Sequence, residues 1–152
     1  MGAIRNSTKA VILYDGRVLL TRNRDQWGDF YLFPGGGQEF GEVLKDAVFR
    51  ECMEEIGAEV IVGDLLHVRE YIGKNHEFAE WDSGAHQVEF YFECRLKDPG
   101  ADTSQGVNPD SYQTGAEWVE LERLDHIRLY PKTVGEVLRN KANAGRYLGD
   151  VN

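Results

Sequence analysis

The stretch FRECMEEIG, Phe49 to Gly57, places Glu51, Glu54 and Glu55 in what reads as the middle and end of a helix. At about 100° per residue the three fall within an arc of roughly 100°. Like charges three and four residues apart therefore crowd one face. Val48, Phe49, Cys52 and Ile56 occupy a neighbouring arc that can pack on a core. Acids in a last turn oppose the helix dipole, and close carboxylates ionise together only with positive charge between them. Arg50 is four residues before Glu54, yet one arginine does not balance three acids and Glu42. A divalent cation would, because hard cations such as Mg²⁺ take oxygen ligands. The ordinary alternative is an acidic, solvent-facing helix end. Against it stands the run just before the helix, GGGQEFG (Gly35–Gly41), since glycines let a backbone approach a ligand closely and expose its carbonyls.

Outward from the helix, predicted from about Glu42 to Ile56 with Gly57 as its stop, the chain alternates strands and turns. KAVILYDGRVLLT predicts a hairpin, Ala10–Tyr14 and Arg17–Thr21 about an Asp15-Gly16 turn. FYLFP (Phe30–Pro34) predicts a short strand, and GGGQEFG a loop. AEVIVGDLLHVREYI predicts one or two strands, and HQVEFYFECRL (His86–Leu96) a longer one with period-two alternation. Lys97–Gly115, polar and with two prolines, predicts a long loop. AEWVEL (Ala116–Leu121) predicts a last strand. LERLDHI and PKTVGEVLRNKA predict C-terminal helices, the second with Pro131 in its first turn. Strands, helix, strands, helix in that order predict an α/β fold, a mixed β-sheet with helices on its faces, in a single domain over residues 1–152.

Composition bounds the function. The chain has 152 residues, 41% hydrophobic and 28% charged, with a formal net charge of −9. That charge argues against broad nucleic-acid or membrane binding. It is concentrated: six acids against two bases between Gly35 and Ala58, and four acids with no Lys or Arg between Asn75 and Glu89. Two such segments read either as solvated faces or as two walls of one cation site. No apolar run is long enough to span a bilayer, the N-terminus lacks a secretory core, and Asn6 stands where myristoylation wants Ser or Thr. Cys52 and Cys94 lie in apolar patterns and read as buried, reduced thiols of a cytoplasmic protein. Four zinc ligands at metal spacing are absent.

Gly36, five residues, Glu42, seven residues, then RECMEEIGA (Arg50–Ala58) resembles the Nudix box, G-x5-E-x7-R-E-U-x-E-E-x-G-U with U a bulky aliphatic. Gly36, Glu42, Arg50, Glu51, Glu54, Glu55 and Gly57 all match, while Cys52 and Ala58 stand at the aliphatic positions. The resemblance implies a Nudix hydrolase of the MutT type, an α/β/α sandwich. It also implies cleavage of a nucleoside diphosphate linked to X, by water attack on phosphorus with Mg²⁺, or Mn²⁺ as the alternative. Carried over by position, Glu51 and Glu55 are metal ligands, Glu54 is a further ligand or orients water, and the Gly35 carbonyl is another ligand. Arg50 orients a catalytic glutamate, and Glu42 holds loop and helix together.

Outside the box, the resemblance makes Glu77, Glu80, Asp82 and Glu89 candidates for an extra metal ligand or general base, with Glu89 and Glu80 first. Arg22 is expected to touch a substrate phosphate, beside Gly36 and Trp27 in binding substrate. Trp27, Phe30 and Tyr31 could stack a base, with core packing expected for at least one. No subfamily motif singles out X: a nucleoside triphosphate, a nucleotide sugar or a capped RNA end stay open, and the acidity disfavours RNA. A non-catalytic nucleotide-binding domain on this fold is the alternative function. A diphosphate isomerase would need a cysteine across the substrate, for which Cys94 alone is available. Oligomeric state is open, a homodimer included.

Overall fold

The opening hairpin is set by its turn. Asp15 and Gly16 have φ of 52° and 73°, the two positive values that a type I′ turn requires. It joins β1 (Arg5–Tyr14) to β2 (Arg17–Asp25), with Tyr14 opposite Arg17. The computed structural model describes residues 2–141 and 143–152.

β1 is the hinge of the sheet. Its last residues pair with β2, but Ser7, Thr8 and Lys9 are paired on both sides, antiparallel to β4 (Gly35–Gly37) and parallel to β6 (His86–Leu96). Beyond β6 lie β5 (Val60–Ile72), antiparallel to it, and β9 (Tyr147–Asp150), parallel to β5. On the far side, β2 carries β3 (Gly28–Leu32) and β7 (Gln113–Glu120), and β3 pairs in parallel with β8 (Leu129–Tyr130). The sheet is mixed, as predicted.

Period-two alternation then gives β1 and β2 two buried faces. Ala10, Ile12 and Leu19 face one core with Phe92, Cys94 and Leu96, which α1 (Leu44–Ile56) covers through Val48, Cys52 and Ile56. Val11, Val18 and Leu20 face a second core with Phe33, Tyr91 and Val119, closed by Val134 of α3 (Lys132–Asn140). The result is an α/β/α arrangement. Cys52 and Cys94 are buried free thiols in the first core, which leaves Cys94 no access to a substrate.

Several local expectations are corrected. α1 begins at Leu44, two residues late, because Glu39 and Glu42 are engaged in the preceding turn. The triple glycine is a strand, β4, not a loop: without side chains it fits against β1, and a Cβ at Gly35 (φ 150°) would strike the Thr8 carbonyl. AEVIVGDLLHVREYI is one strand with register shifts around Leu65. Leu121–His126 is a 3-10 helix, and Pro131 precedes α3 rather than entering its first turn. The segment 75–85 holds a short helix, α2 (Ala79–Asp82). β9 was not expected from the sequence.

The long loop, irregular from 97 to 112, finishes α1. Gly57 (φ 64°) turns its N–H onto the Cys52 and Met53 carbonyls at 3.2 and 3.1 Å. The Asn108 N–H and Gln113 Nε2 donate to the carbonyls of Glu54 and Glu55, both at 2.8 Å. The helix end that carries the glutamates is thereby capped by loop rather than by water. Among the described residues no helix is long and apolar enough to cross a membrane.

Candidate active site

Arg50 organises the acidic face. Its Nε and Nη2 donate to the two oxygens of Glu42 at 2.8 and 3.0 Å, its Nη1 to Glu51 at 3.0 Å and to Glu54 at 3.3 Å, and its Nη2 also to the Gly37 carbonyl at 2.9 Å. The hydrogen bonds to Glu42, and then those to Glu51, hold the guanidinium charged above its already high range. In return Arg50 holds the Glu42 carboxyl below the usual carboxylate range, helped by the Glu39 N–H at 3.0 Å. A bidentate arginine thus ties the turn before α1 to the third turn of the helix.

Glu55 lies outside this web. It is 4% exposed and accepts the Gly35 N–H at 2.8 Å. Burial pushes its carboxyl up to about 8, against the pull of Lys9 and of that N–H. Burial likewise raises Glu51, against its bond to Arg50. Asp110 of the long loop adds negative charge beside both. Gly36 faces Glu51 so closely that a Cβ there would sit 2.6 Å from the carboxylate. Gly36→Ala is therefore expected to displace Glu51 and lower turnover about a hundredfold, the scale of a misplaced catalytic contact. Circular dichroism should stay native while kcat falls; wild-type kcat would show that Glu51 has room to spare.

Among the described residues no three of His, Cys, Asp and Glu gather closely enough to cage a metal without adjustment. The donor chemistry nonetheless fits a hard cation. The set is all oxygen, two of its carboxylates are largely buried, and the facing backbone of Gly35 and Gly36 carries no side chain.

Beside this face opens a cavity of about 760 Å³. Lys9 lines it, and the Lys9 stem also crosses Gly35, the residue that holds Glu55. The cavity and the acidic face therefore share a wall.

Residues 5–140 match the NUDIX domain. The chain belongs to the Nudix family. It is an enzyme of that family's hydrolase class, acting on phosphoric anhydride bonds. An RNA pyrophosphohydrolase of Baumannia cicadellinicola subsp. Homalodisca coagulata is 30% identical over 121 residues, 73% of this chain and 75% of that protein. The mouse protein named nucleoside diphosphate-linked moiety X motif 6 is 30% identical over 71% of this chain, which spans only 31% of the mouse protein's length. A NUDIX hydrolase structure from Nitrosomonas europaea superposes with a TM-score of 0.73 at 19% identity, over 95% of this chain and 93% of that one. A MutT NUDIX hydrolase from Burkholderia pseudomallei gives 0.61 at 27% identity, over 79% and 85%.

Within this Nudix domain the box residues Gly35, Gly36, Glu42, Arg50, Glu51, Glu54 and Glu55 are brought together. The outlying candidates fare differently. Glu89 lines the cavity but is buried and engaged, by Arg69 Nε at 2.7 Å and the Tyr91 hydroxyl at 2.6 Å. Burial alone would raise its carboxyl; Arg69 and Lys9 bring it below the usual range. Glu80 is exposed on α2 and does not line the cavity, and Glu77 is bonded by Asn152. Asp82 lines the cavity and accepts the Tyr71 hydroxyl at 2.8 Å. Arg22 lies against β7, with Nη1 3.3 Å from Glu117 and Nε 3.3 Å from Thr114, and is not among the residues that line the cavity. Trp27 and Phe30 line the cavity, whereas Tyr31 packs on the second core.

Sequence reasoning missed Lys9, Asp110 and Arg128. Lys9 sits within the hairpin strand, Asp110 in a polar loop and Arg128 between the two predicted C-terminal helices. No local pattern separates any of the three from ordinary surface charge.

Proposed function

We propose that this Nudix domain is a divalent-metal-dependent pyrophosphohydrolase that cleaves a nucleoside diphosphate linked to a group X. The observation that carries this reading is the buried Glu55 carboxylate, 4% exposed and accepting the Gly35 N–H, beside the largely buried Glu51. Two carboxylates taken out of water need positive charge, and Arg50 is committed to Glu42, Glu51 and Glu54.

Glu51 and Glu55 would hold the ion, with Glu54 and the Gly35 carbonyl beside them. When bound, Mg²⁺ or Mn²⁺ neutralises phosphate charge and makes water a better nucleophile. Arg50 fixes the rotamers of Glu51 and Glu54, and Glu42 fixes Arg50. Glu54, the most exposed of the three at 28% of its side chain, is placed to orient the attacking water. The acidic chain repels a phosphate anion unless cations intervene, so turnover should depend strictly on metal.

A net charge of −9 favours a free nucleotide over a polynucleotide. The relatives named RNA pyrophosphohydrolase nevertheless put an RNA with a terminal phosphoanhydride on the test panel. That panel is nucleoside triphosphates, ADP-ribose, nucleotide sugars, dinucleoside polyphosphates and such an RNA, each with Mg²⁺, Mn²⁺ or chelator. The expected result is phosphate or nucleotide release from at least one class, abolished by chelator. Saturable nucleotide binding with no product under either metal would replace this reading with a binding domain.

A further inference from the structure

The carbonyls in the last turn of a helix have no intrahelical partner. In α1 the Gly57 N–H turns back onto those of Cys52 and Met53. The next two belong to Glu54 and Glu55, whose side chains carry two carboxylates of the site. Both are bonded from the far end of the long loop. The Asn108 N–H donates to the Glu54 carbonyl and Gln113 Nε2 to the Glu55 carbonyl, each at 2.8 Å. Helix end and loop meet backbone to backbone. A Cβ at Gly57 would lie 2.2 Å from the Gln105 carbonyl oxygen, and one at Gly106 would lie 2.4 Å from that of Glu55 and 2.8 Å from that of Glu54.

Gln113 takes its aim from an irregularity in the sheet. β7 pairs with β2 in regular register from Arg17–Glu120 to Arg22–Gly115, and then Asn23 stands opposite Gln113, so Thr114 is an extra residue on β7. A bulge of this kind re-aims the side chain next to it. Thr114 is fastened in place: its Oγ1 accepts Arg22 Nε–H at 3.3 Å and donates to the Arg22 carbonyl at 3.2 Å. On the facing strand Asn23 is 1% exposed, with Nδ2 bonded to the Thr21 carbonyl and hydroxyl, both at 3.2 Å. Gln113 crosses from this braced corner to α1, 58 residues away in sequence. Its Oε1 is buried and has no partner among the described residues. The side chain thus gives the fold one good bond and one orphaned acceptor, which oppose each other in stability. What it adds is a fixed place for the Glu55 carbonyl.

We propose that Gln113 is a positioning residue for the cation site: held by the Thr114 bulge, it fixes the last turn of α1 through the Glu55 carbonyl and so sets where the Glu55 carboxylate stands. The proposal rests on the pyrophosphohydrolase reading for what the carboxylates bind, but not for the geometry. Glu55 is gripped at both ends, by the Gly35 N–H of β4 on its carboxylate and by Gln113 of β7 on its carbonyl, each at 2.8 Å. A buried side chain held at two ends has little freedom to drift. Groups that orient a metal ligand from behind count for about 10–100-fold in affinity or activity.

The test is Gln113→Met, which keeps the length of the side chain and removes both amide groups. Mn²⁺ affinity is read from the electron paramagnetic resonance signal of the free ion, and Tm by calorimetry in chelator. Wild type should bind Mn²⁺ at a site that Glu55→Gln removes. Gln113→Met should bind it about tenfold more weakly, with a Tm in chelator within about 3 °C of wild type. On whichever substrate the panel finds, kcat should fall by a similar factor with KM little changed. Gly106→Ala presses on the same carbonyls from the loop side and, measured well below its Tm, should weaken Mn²⁺ likewise. If Gln113→Met does not fold, Gly106→Ala decides in its place. Mn²⁺ affinity unmoved in the deciding variant, whether or not Tm falls, would make the loop a plain helix cap and overturn the proposal, while wild-type turnover kept the hydrolase reading. Weakened Mn²⁺ binding in a protein that hydrolyses nothing would sustain the positioning role and remove the hydrolase reading. A wild type that binds no Mn²⁺ overturns both.

Discussion

Glu55→Gln should lower turnover about a thousandfold and leave the protein no less stable when metal is absent. A ligand to a catalytic cation acts through several kcal/mol of charge stabilisation, and about 4 kcal/mol is a thousandfold in rate. The stability half of the result comes from burial. Glu55 is 4% exposed, and burial raises its carboxyl to about 8. For an acid whose folded value lies above its unfolded value of about 4.3, the native state binds the extra proton. Stability is then greatest below the unfolded value and declines as pH rises towards about 8. A neutral amide removes that decline and can still accept the Gly35 N–H. Thermal melts in chelator should therefore show wild type losing Tm between about pH 4 and 8 while Glu55→Gln loses less. Added Mg²⁺ should raise the Tm of wild type, which binds it, and not that of the variant. Wild-type rates in Glu55→Gln would sink the site assignment.

The parts of this site that the sequence displays are those where chemistry and spacing coincide. Glu42, Arg50, Glu51, Glu54 and Glu55 lie on one short helix and the turn before it, so i,i+4 geometry alone brings Arg50 to Glu54. The same holds for the hairpin, where Asp15-Gly16 allows one kind of turn. Long-range pairing carries no such local mark. β4 is three glycines, which by propensity read as loop; they are a strand because only a backbone without side chains fits against β1 at Thr8. β9 is invisible because four residues, Tyr147–Asp150, need β5 to define them. Arg22 shows the same limit from the other side. The resemblance suggests a phosphate contact, while the pairing that sets its side chain against Glu117 and Thr114 of β7 leaves no mark in the sequence. Lys9 and Arg128 stand 119 residues apart in sequence and meet one cavity only through the sheet.

Arg50→Ala should lower Tm by about 5–10 °C and kcat about a hundredfold, the largest combined effect of any single box substitution that removes no proposed metal ligand. The side chain makes charged contacts to Glu42, Glu51 and Glu54, whose side chains are 15%, 12% and 28% exposed, and bonds the Gly37 carbonyl. Truncation leaves three carboxylates facing one another. Breaking a fully buried pair costs about 3–5 kcal/mol. Partial exposure reduces this to about 2–3 kcal/mol, and a domain of this size shifts by roughly 2–4 °C per kcal/mol. The rate falls because Glu51 and Glu54 lose the group that fixes their rotamers, and a displacement near 1 Å costs about a hundredfold. Arg50→Lys keeps the charge but not the fork that grips both oxygens of Glu42, so it should recover only part of the stability. Glu42→Gln combined with Arg50→Ala should cost less than the sum of the two, because each alone strands the other's charge. Calorimetry with and without Mg²⁺ adds the decisive comparison. In wild type, Arg50 already neutralises Glu51 and Glu54, and metal adds to that. In Arg50→Ala the carboxylates repel, so the cation relieves more and the Tm gain on adding Mg²⁺ should exceed the wild-type gain. Equal gains would mean that Arg50 and the metal do not share those carboxylates, and a wild-type Tm in chelator would mean that Arg50 does not hold the turn to the helix.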